Sequence, residues 1–125
     1  MRNPYFKTSS SPKAITIYEN ASDELCVFEG FFDFLSFMSI YHKLKMRPLN
    51  FVILNSLSFF EGARNYMEKH VRVNLYLDRD SAGANLTFYA RSLSKCYHDE
   101  SVLYEGYKDL NDWMVNIGNK SVKHK

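Results

Sequence analysis

Between Val71 and Asn85 the chain reads VRVNLYLDRDSAGAN, and no other stretch limits the possible folds as much. An apolar run ends in Asp78-Arg79-Asp80, then passes through Ser81-Ala82-Gly83 into a helical pattern. Residues two apart on a strand project to the same side. Asp78 and Asp80 are therefore expected to point together beyond the strand's carboxyl end, with Arg79 on the opposite side. Two carboxylates held that close repel, and one takes up a proton unless a cation lies between them. Strand, acidic turn and helix in that order predict an α/β unit with a divalent-metal site at the strand end.

The rest of the chain repeats the alternation. Tyr5 to Thr8 and Ala14 to Tyr18 look like short strands forming an antiparallel hairpin at the domain's edge. Leu25 to Phe28 is wholly apolar, as expected of a strand covered on both faces, and it ends at Glu29-Gly30. From Phe31 the spacing turns helical, with Phe31, Phe34, Leu35, Met38 and Tyr41 or His42 on one side. Phe32, Phe37, Ile40 and Leu44 fill much of the remaining circumference. A helix apolar all round is either buried or covered by another domain. Phe51 to Leu54 predicts a second buried strand. Ser58 with Glu61 resembles a capping box for a helix with Phe60, Ala63 and Met67 inward, running to about His70. Val71 to Leu77 is the third strand, followed by a helix with Ala82, Leu86, Tyr89, Ala90 and Leu93 inward, to near Lys95. Ser101 to Tyr104 is expected as a fourth strand. The last helix follows, with Leu110, Trp113 and Ile117 on one side and Gly118 as its stop.

This alternation argues α/β with a mostly parallel sheet of about four strands flanked by helices. It divides the chain into an edge extension over 1–24, a core domain over 25–118 and a basic tail over 119–125. In such sheets ligands bind beyond the carboxyl ends of the strands, where both Glu29 and the Asp78/Asp80 pair fall.

Each acid also has a plainer reading. Glu29 and Asp33 sit one turn apart, and Gly30 between them leaves room for a phosphate at a helix N-terminus. The same two acids equally suit the positive end of a helix dipole. Asp80 makes a good N-cap; Asp78 has no such duty. Gly83 does not favour a helix, so close packing or ligand approach explains it better. In Lys108-Asp109-Leu110-Asn111-Asp112, Asp109 would cap the last helix with Asp112 reinforcing it. Lys108 would neutralise a phosphate or pair with an acid. Arg79 would shield the acidic pair or meet a phosphate. The formal charge of +2 becomes +7 once Glu29, Asp33, Asp78, Asp80 and Asp109 are set aside. A basic scaffold around one acidic spot suits a polyanionic partner, though an ordinary mixed surface fits that count almost as well.

Taken together, Glu29-Gly30 with Asp33 (EGxxD), Asp78 to Gly83 (DxDxAG) and Lys108 to Asp112 (KDxND) resemble the Toprim domain of bacterial-type primases, topoisomerases and related nucleases. The primase subfamily is the nearest in flavour, and the span from Leu25 to Gly118 covers most of the chain. The resemblance implies a Rossmann-like Toprim fold with an acidic Mg²⁺ centre. Glu29 is then a general acid/base or ligand, and Asp78 and Asp80 are the principal metal ligands, with Asp33 and Asp109 beside them. It also implies nucleotidyl transfer in DNA replication, of the kind a DNA-directed RNA polymerase performs in primer synthesis, with DNA, RNA and nucleotides as partners. Alternatives are a nuclease, a topoisomerase-type domain, or a non-catalytic module that binds metal and nucleic acid. Receiver-like and haloacid-dehalogenase-like domains place their aspartates on the first core strand and fit less well.

Carboxylates without His or Cys match Mg²⁺, with Mn²⁺ as a substitute. Cys26, Cys96 and four scattered histidines show no zinc-ligand spacing. A full primase has further modules, so the chain is expected to be either an excised domain, inactive by itself or supported by a replication partner, or a minimal stand-alone protein. Two distant cysteines without a CxxC pair, no signal-like start and no bilayer-length apolar run point to a cytoplasmic protein without a membrane partner.

Overall fold

In the computed structural model, which describes residues 15–44 and 48–123, with side chains over 15–40 and 48–117, a five-stranded sheet carries helices on both faces. In chain order the elements are β1 (Thr16–Tyr18), β2 (Glu24–Phe28), α1 (Phe31–Leu44), β3 (Asn50–Ile53), a 3₁₀ turn over Leu57–Phe59, α2 (Phe60–Met67), β4 (Arg72–Tyr76), α3 (Ser81–Leu93), β5 (Tyr97–Asp99), a second 3₁₀ turn over Ser101–Tyr104 and α4 (Leu110–Lys123). The strand order is β1-β3-β2-β4-β5. β3, β2, β4 and β5 run parallel, and β1 joins β3 antiparallel at the edge.

Period-two alternation builds two separate cores from this sheet. Leu25 and Val27 face α2 and α3, where Val52, Leu54, Met67, Val73, Leu75 and Ala90 complete a mainly aliphatic core. Cys26 and Phe28 face the other way, among Phe34, Phe37, Phe51, Tyr104 and Leu110 of an aromatic core beneath α1 and α4. The chain leaves β2 toward β3 on one side and later crosses to β4 on the other. With one crossover hand favoured, that reversal sends α1 to one face and α2 and α3 to the other. The strand order therefore switches at β2, and a crevice opens between the carboxyl ends of β2 and β4.

The three core strands expected from apolar runs are present at β2, β3 and β4, with Phe60, Ala63 and Met67 of α2 buried as read. Several expectations fail. Ser101 to Tyr104 is a 3₁₀ turn, not a strand, and the fourth parallel strand is Tyr97–Asp99. Val102 and Leu103 are exposed, while Tyr104 turns inward to donate its hydroxyl to the Leu77 carbonyl at 2.6 Å. The expected Ser58–Glu61 capping box does not form: Ser56 caps the 3₁₀ turn that leads into α2, accepting from the Ser58 amide, and α2 itself begins after Phe59 without a side-chain cap. α4 runs through Gly118 to Lys123; an interior glycine weakens a helix by about 1 kcal/mol without ending it. α1 buries Asp33, Phe34, Ser36 and Phe37, leaving Phe31 and Leu35 exposed. In α3 the buried stripe is Gly83-Thr87-Ala90, with Leu86 and Leu93 half-buried and Ala82 and Tyr89 exposed. The expected strand at Tyr5 to Thr8, and with it the N-terminal hairpin, lies outside the described residues.

Candidate metal centre

The crevice at the β2/β4 boundary is where three distant segments deliver carboxylates. Asp33, in the first turn of α1, is only 5% exposed, and its Oδ1 accepts from the Asn111 backbone N–H at 3.0 Å. Asp78 follows the end of β4. Asp109 stands at the head of α4, its Oδ1 accepting from the Asp112 N–H at 2.8 Å. One oxygen from each of these three aspartates lies within 4.8 Å of the other two. Two helix N-termini, those of α1 and α4, converge on the triad, and their positive ends temper its negative charge.

Glu29 is not one of that closest set. Its Oε1 accepts from the Asp78 backbone N–H at 3.1 Å, so it ties the β2 and β4 loops together beside the triad. Asp80 is committed elsewhere: its Oδ1 accepts from the Gly83 N–H at 2.8 Å and caps α3. The expected Asp78/Asp80 pairing is thus divided, because the strand ends at Tyr76 and both residues already belong to the turn into α3. Glu29, Gly30, Asp33, Asn55, Asp78, Asp109 and Asn111, with Phe31 and Phe32, line an open cleft of about 370 Å³. Lys108 is exposed beside it, its backbone N–H donating to Asp112 Oδ2 at 3.2 Å. Arg79 leaves the cleft altogether, its Nη1 donating to Ser101 O and Oγ at 2.8 and 3.1 Å.

The electrostatics follow from this crowding. Burial first, then the charges of Glu29, Asp33, Asp109 and Asp80, push the Asp78 carboxyl up to about 7. Burial likewise lifts Asp33 to about 6, against the opposing Asn111 N–H, with Asp109 and Glu29 adding repulsion. Glu29 is raised by burial, partly offset by the Asp78 N–H, and further by Asp80 and Asp109. Among the described residues no ion pair reaches any of these five carboxylates. Asp78 Oδ1 is buried without a hydrogen-bond partner, a situation that costs free energy unless a cation or proton satisfies the oxygen. All-oxygen donors of full negative charge suit a hard divalent ion such as Mg²⁺. The residues present therefore fit a metal.

Two positioning residues, Tyr104 and Asn111, escaped the sequence reading, whereas Gly83 was expected to serve close packing or ligand approach. Gly83 is a steric requirement: a Cβ there would sit 2.2 Å from the Asp78 carbonyl oxygen. Only glycine lets α3 start against the strand-end turn. Tyr104 holds the peptide before Asp78 through Leu77 O; no signal marked it, since SVLY reads as a strand. Asn111 donates its N–H to Asp33 and accepts from Ser36 Oγ at 3.0 Å, locking α1 to α4. Its place inside KDLND was the available clue.

With this geometry in hand, comparison with known proteins gives consistent results. The family model described as Toprim-like matches residues 26–114. No curated protein matches the chain by sequence. The crystal structure of the primase fragment of the bacteriophage T7 primase-helicase protein superposes with a TM-score of 0.61 at 18% identity, over 85% of this chain and 44% of that one. A primase-domain structure from bacteriophage T7, in a complex of its lagging-strand DNA polymerase with primase domains bound to an RNA/DNA hybrid and dTTP, gives 0.65 at 19% identity. That match covers 95% of this chain and 63% of the other. The chain thus spans between about two fifths and two thirds of these structures. Among the described residues no helix is long and apolar enough to cross a membrane.

Proposed function

The chain belongs to the Toprim-like family, with a fold like that of the T7 primase fragment, and from that premise we propose that it serves metal-dependent phosphoryl or nucleotidyl transfer on nucleic acid, as the Toprim domain of a primase-like DNA replication protein. One observation carries this reading: three aspartates with oxygens within 4.8 Å of one another at the strand-order switch, one of them Asp78, whose Oδ1 is buried and unpartnered.

Asp78, Asp33 and Asp109 would hold Mg²⁺, or Mn²⁺ in its place. Asp80 contributes charge from its capping position, and Glu29 flanks the set. The bound ion supplies charge neutralisation at a phosphate and activation of the attacking or leaving oxygen. The protein's share is positioning and proton handling. Glu29 keeps one oxygen on the Asp78 amide and has a carboxyl held above the ordinary range, which suits it to take up a proton beside the ion. Gly30 leaves the N-terminus of α1 open to a phosphate, and exposed Lys108 offers it a counter-charge. The partners in this reading are DNA or RNA, nucleotides, and further domains or replication proteins that complete the polymerising site.

The test is Mn²⁺ binding, followed by electron paramagnetic resonance, together with primer synthesis on a single-stranded template by the full natural protein. Wild type is expected to bind the ion and extend primers, and Asp78→Ala to lose both. Metal and nucleic-acid binding without synthesis would replace this reading with a non-catalytic module; metal binding that survives Asp78→Ala would remove the assigned site.

A further inference from the structure

A second cleft lies on the other side of Asp78. It holds about 260 Å³ and is lined by Asp78, Arg79, Thr87, Phe88, Arg91 and Val102, with Ala84, Asp99 and Ser101 completing the wall. Ala84, Thr87, Phe88 and Arg91 recur at i, i+3, i+4 and i+7, so they form one face of α3. That face runs about 10 Å from the acidic centre. Phe88 is 77% exposed and Val102 65%, positions at which neither belongs to a core. Arg79 enters from the opposite wall, pinned through Nη1 to Ser101, and its other donors have no partner among the described residues. Arg91 is exposed in the last turn of α3. The two acids of the wall are engaged: Asp99 Oδ1 accepts from the Ser101 N–H at 2.9 Å, and Asp78 gives its carboxylate to the triad.

Two guanidiniums and an aromatic face along one groove are the chemistry that recognises a nucleotide, the fork for phosphate and the ring for a base. A duplex hides its bases, so the exposed ring favours a single strand. We propose that the groove between α3 and the Ser101–Tyr104 turn seats one stretch of single-stranded nucleic acid next to the metal centre. Its phosphate lies between Arg79 and Arg91 and a base rests on Phe88. This rests on the nucleic-acid reading above and adds to it a strand path on the α3 side, away from the acidic cleft. A shared Asp78 wall makes the two sites continuous, so a strand held in the groove presents its next phosphate to the carboxylates.

The experiment titrates the full natural protein into fluorescent oligo(dT) at several salt concentrations, with Mn²⁺ affinity measured on the same samples. Phe88→Ala is expected to weaken oligo(dT) binding roughly tenfold, and Phe88→Trp to retain binding with quenched indole emission. Arg91→Gln is expected to weaken binding and flatten the log–log salt slope by about 0.7, the release of one counterion set from a single strand. Neither change is expected to move Mn²⁺ affinity or the melting temperature, since both side chains are exposed. Oligo(dT) affinity and salt slope unchanged in both variants would overturn the proposal. So would free dTTP displacing the oligonucleotide with equal dependence on both residues, which would make the groove a mononucleotide seat. Loss of Mn²⁺ binding in wild type would sink the metal reading alone, and the groove would still be judged on its own variants.

Discussion

The two clefts that meet at Asp78 share a wall and little else. One gathers carboxylates from three segments around a buried, unpartnered oxygen. The other sets Arg91 and a bare phenylalanine along one face of α3, with Arg79 facing them from the opposite wall. Both depend on the tripeptide Asp78-Arg79-Asp80, whose side chains take three separate tasks. Asp78 joins the triad, Arg79 crosses to the groove, and Asp80 caps α3. The difference teaches that a DxD motif is not automatically a pair of equivalent ligands. A strand that ends at Tyr76, two residues before Asp78, turns alternation into divergence, and the helix cap then claims the second acid.

The strongest way to break the comparison is to remove the packing on which both clefts stand. Gly83→Ala would place a Cβ 2.2 Å from the Asp78 carbonyl oxygen, a clash against backbone that no rotamer relieves. Overpacking of this kind destabilises by about 3 kcal/mol, and here it also displaces the Asp78 turn. Urea denaturation is expected to show the stability loss, and Mn²⁺ and oligo(dT) affinities are expected to fall together. A Gly83→Ala protein of full stability with intact metal binding would show that the clefts do not depend on this contact.

A second test separates the clefts by pH. Asp78 and Asp33 are raised to about 7 and about 6 from an ordinary 3.8. Through that interval the folded, metal-free protein holds more protons than the unfolded chain. Stability must therefore fall as pH rises from about 4 to about 7, with the penalty complete above that range and absent below it. Melting temperature in EDTA is expected to decline across this window, and Asp78→Asn to flatten the decline. Saturating Mn²⁺ is expected to reverse the trend, since metal competes with the same protons. A metal-free melting profile that is flat or rising between pH 5 and about 7 would refute the crowding account.

The smallest effect distinguishes cap from ligand at Asp80. Asp80→Ala removes the bond to the Gly83 N–H and is expected to reduce stability by about 1 kcal/mol. Asp80→Asn keeps a capping oxygen and is expected to restore that stability while still lacking the charge. Calorimetric Mn²⁺ titration of the Asn variant then reads the charge alone. Its affinity is expected to fall far less than in Asp78→Ala, whereas equal losses would return Asp80 to the ligand set.

Much of the fold was legible because buried parallel strands read as apolar stretches, wholly so at Leu25 to Phe28 and Phe51 to Leu54, and around Arg72 and Asn74 at Val71 to Leu77. Ser101 to Tyr104 looked no different in letters. Its fate turned on one hydroxyl reaching Leu77 O, a contact between residues 27 apart in sequence. The inward face of α3 was read correctly at Leu86, Ala90 and Leu93 and wrongly at Ala82 and Tyr89, which are exposed, because hydrophobicity does not mark Gly83 and Thr87 as buried. Phe88 and Arg91 carried no motif at all.

By itself the sequence determined the α/β alternation, the family motifs and the set of acids that strand ends could bring to one place. These are local facts of spacing, periodicity and residue chemistry. Only the tertiary structure decided which acids meet, because that depends on the strand order switching at β2 and on α1 and α4 aiming their N-termini at the same point. It also decided that Arg79 belongs to a second cleft, since a side chain's destination is set by the donors and acceptors within its reach in space, and Ser101 is 22 residues away along the chain.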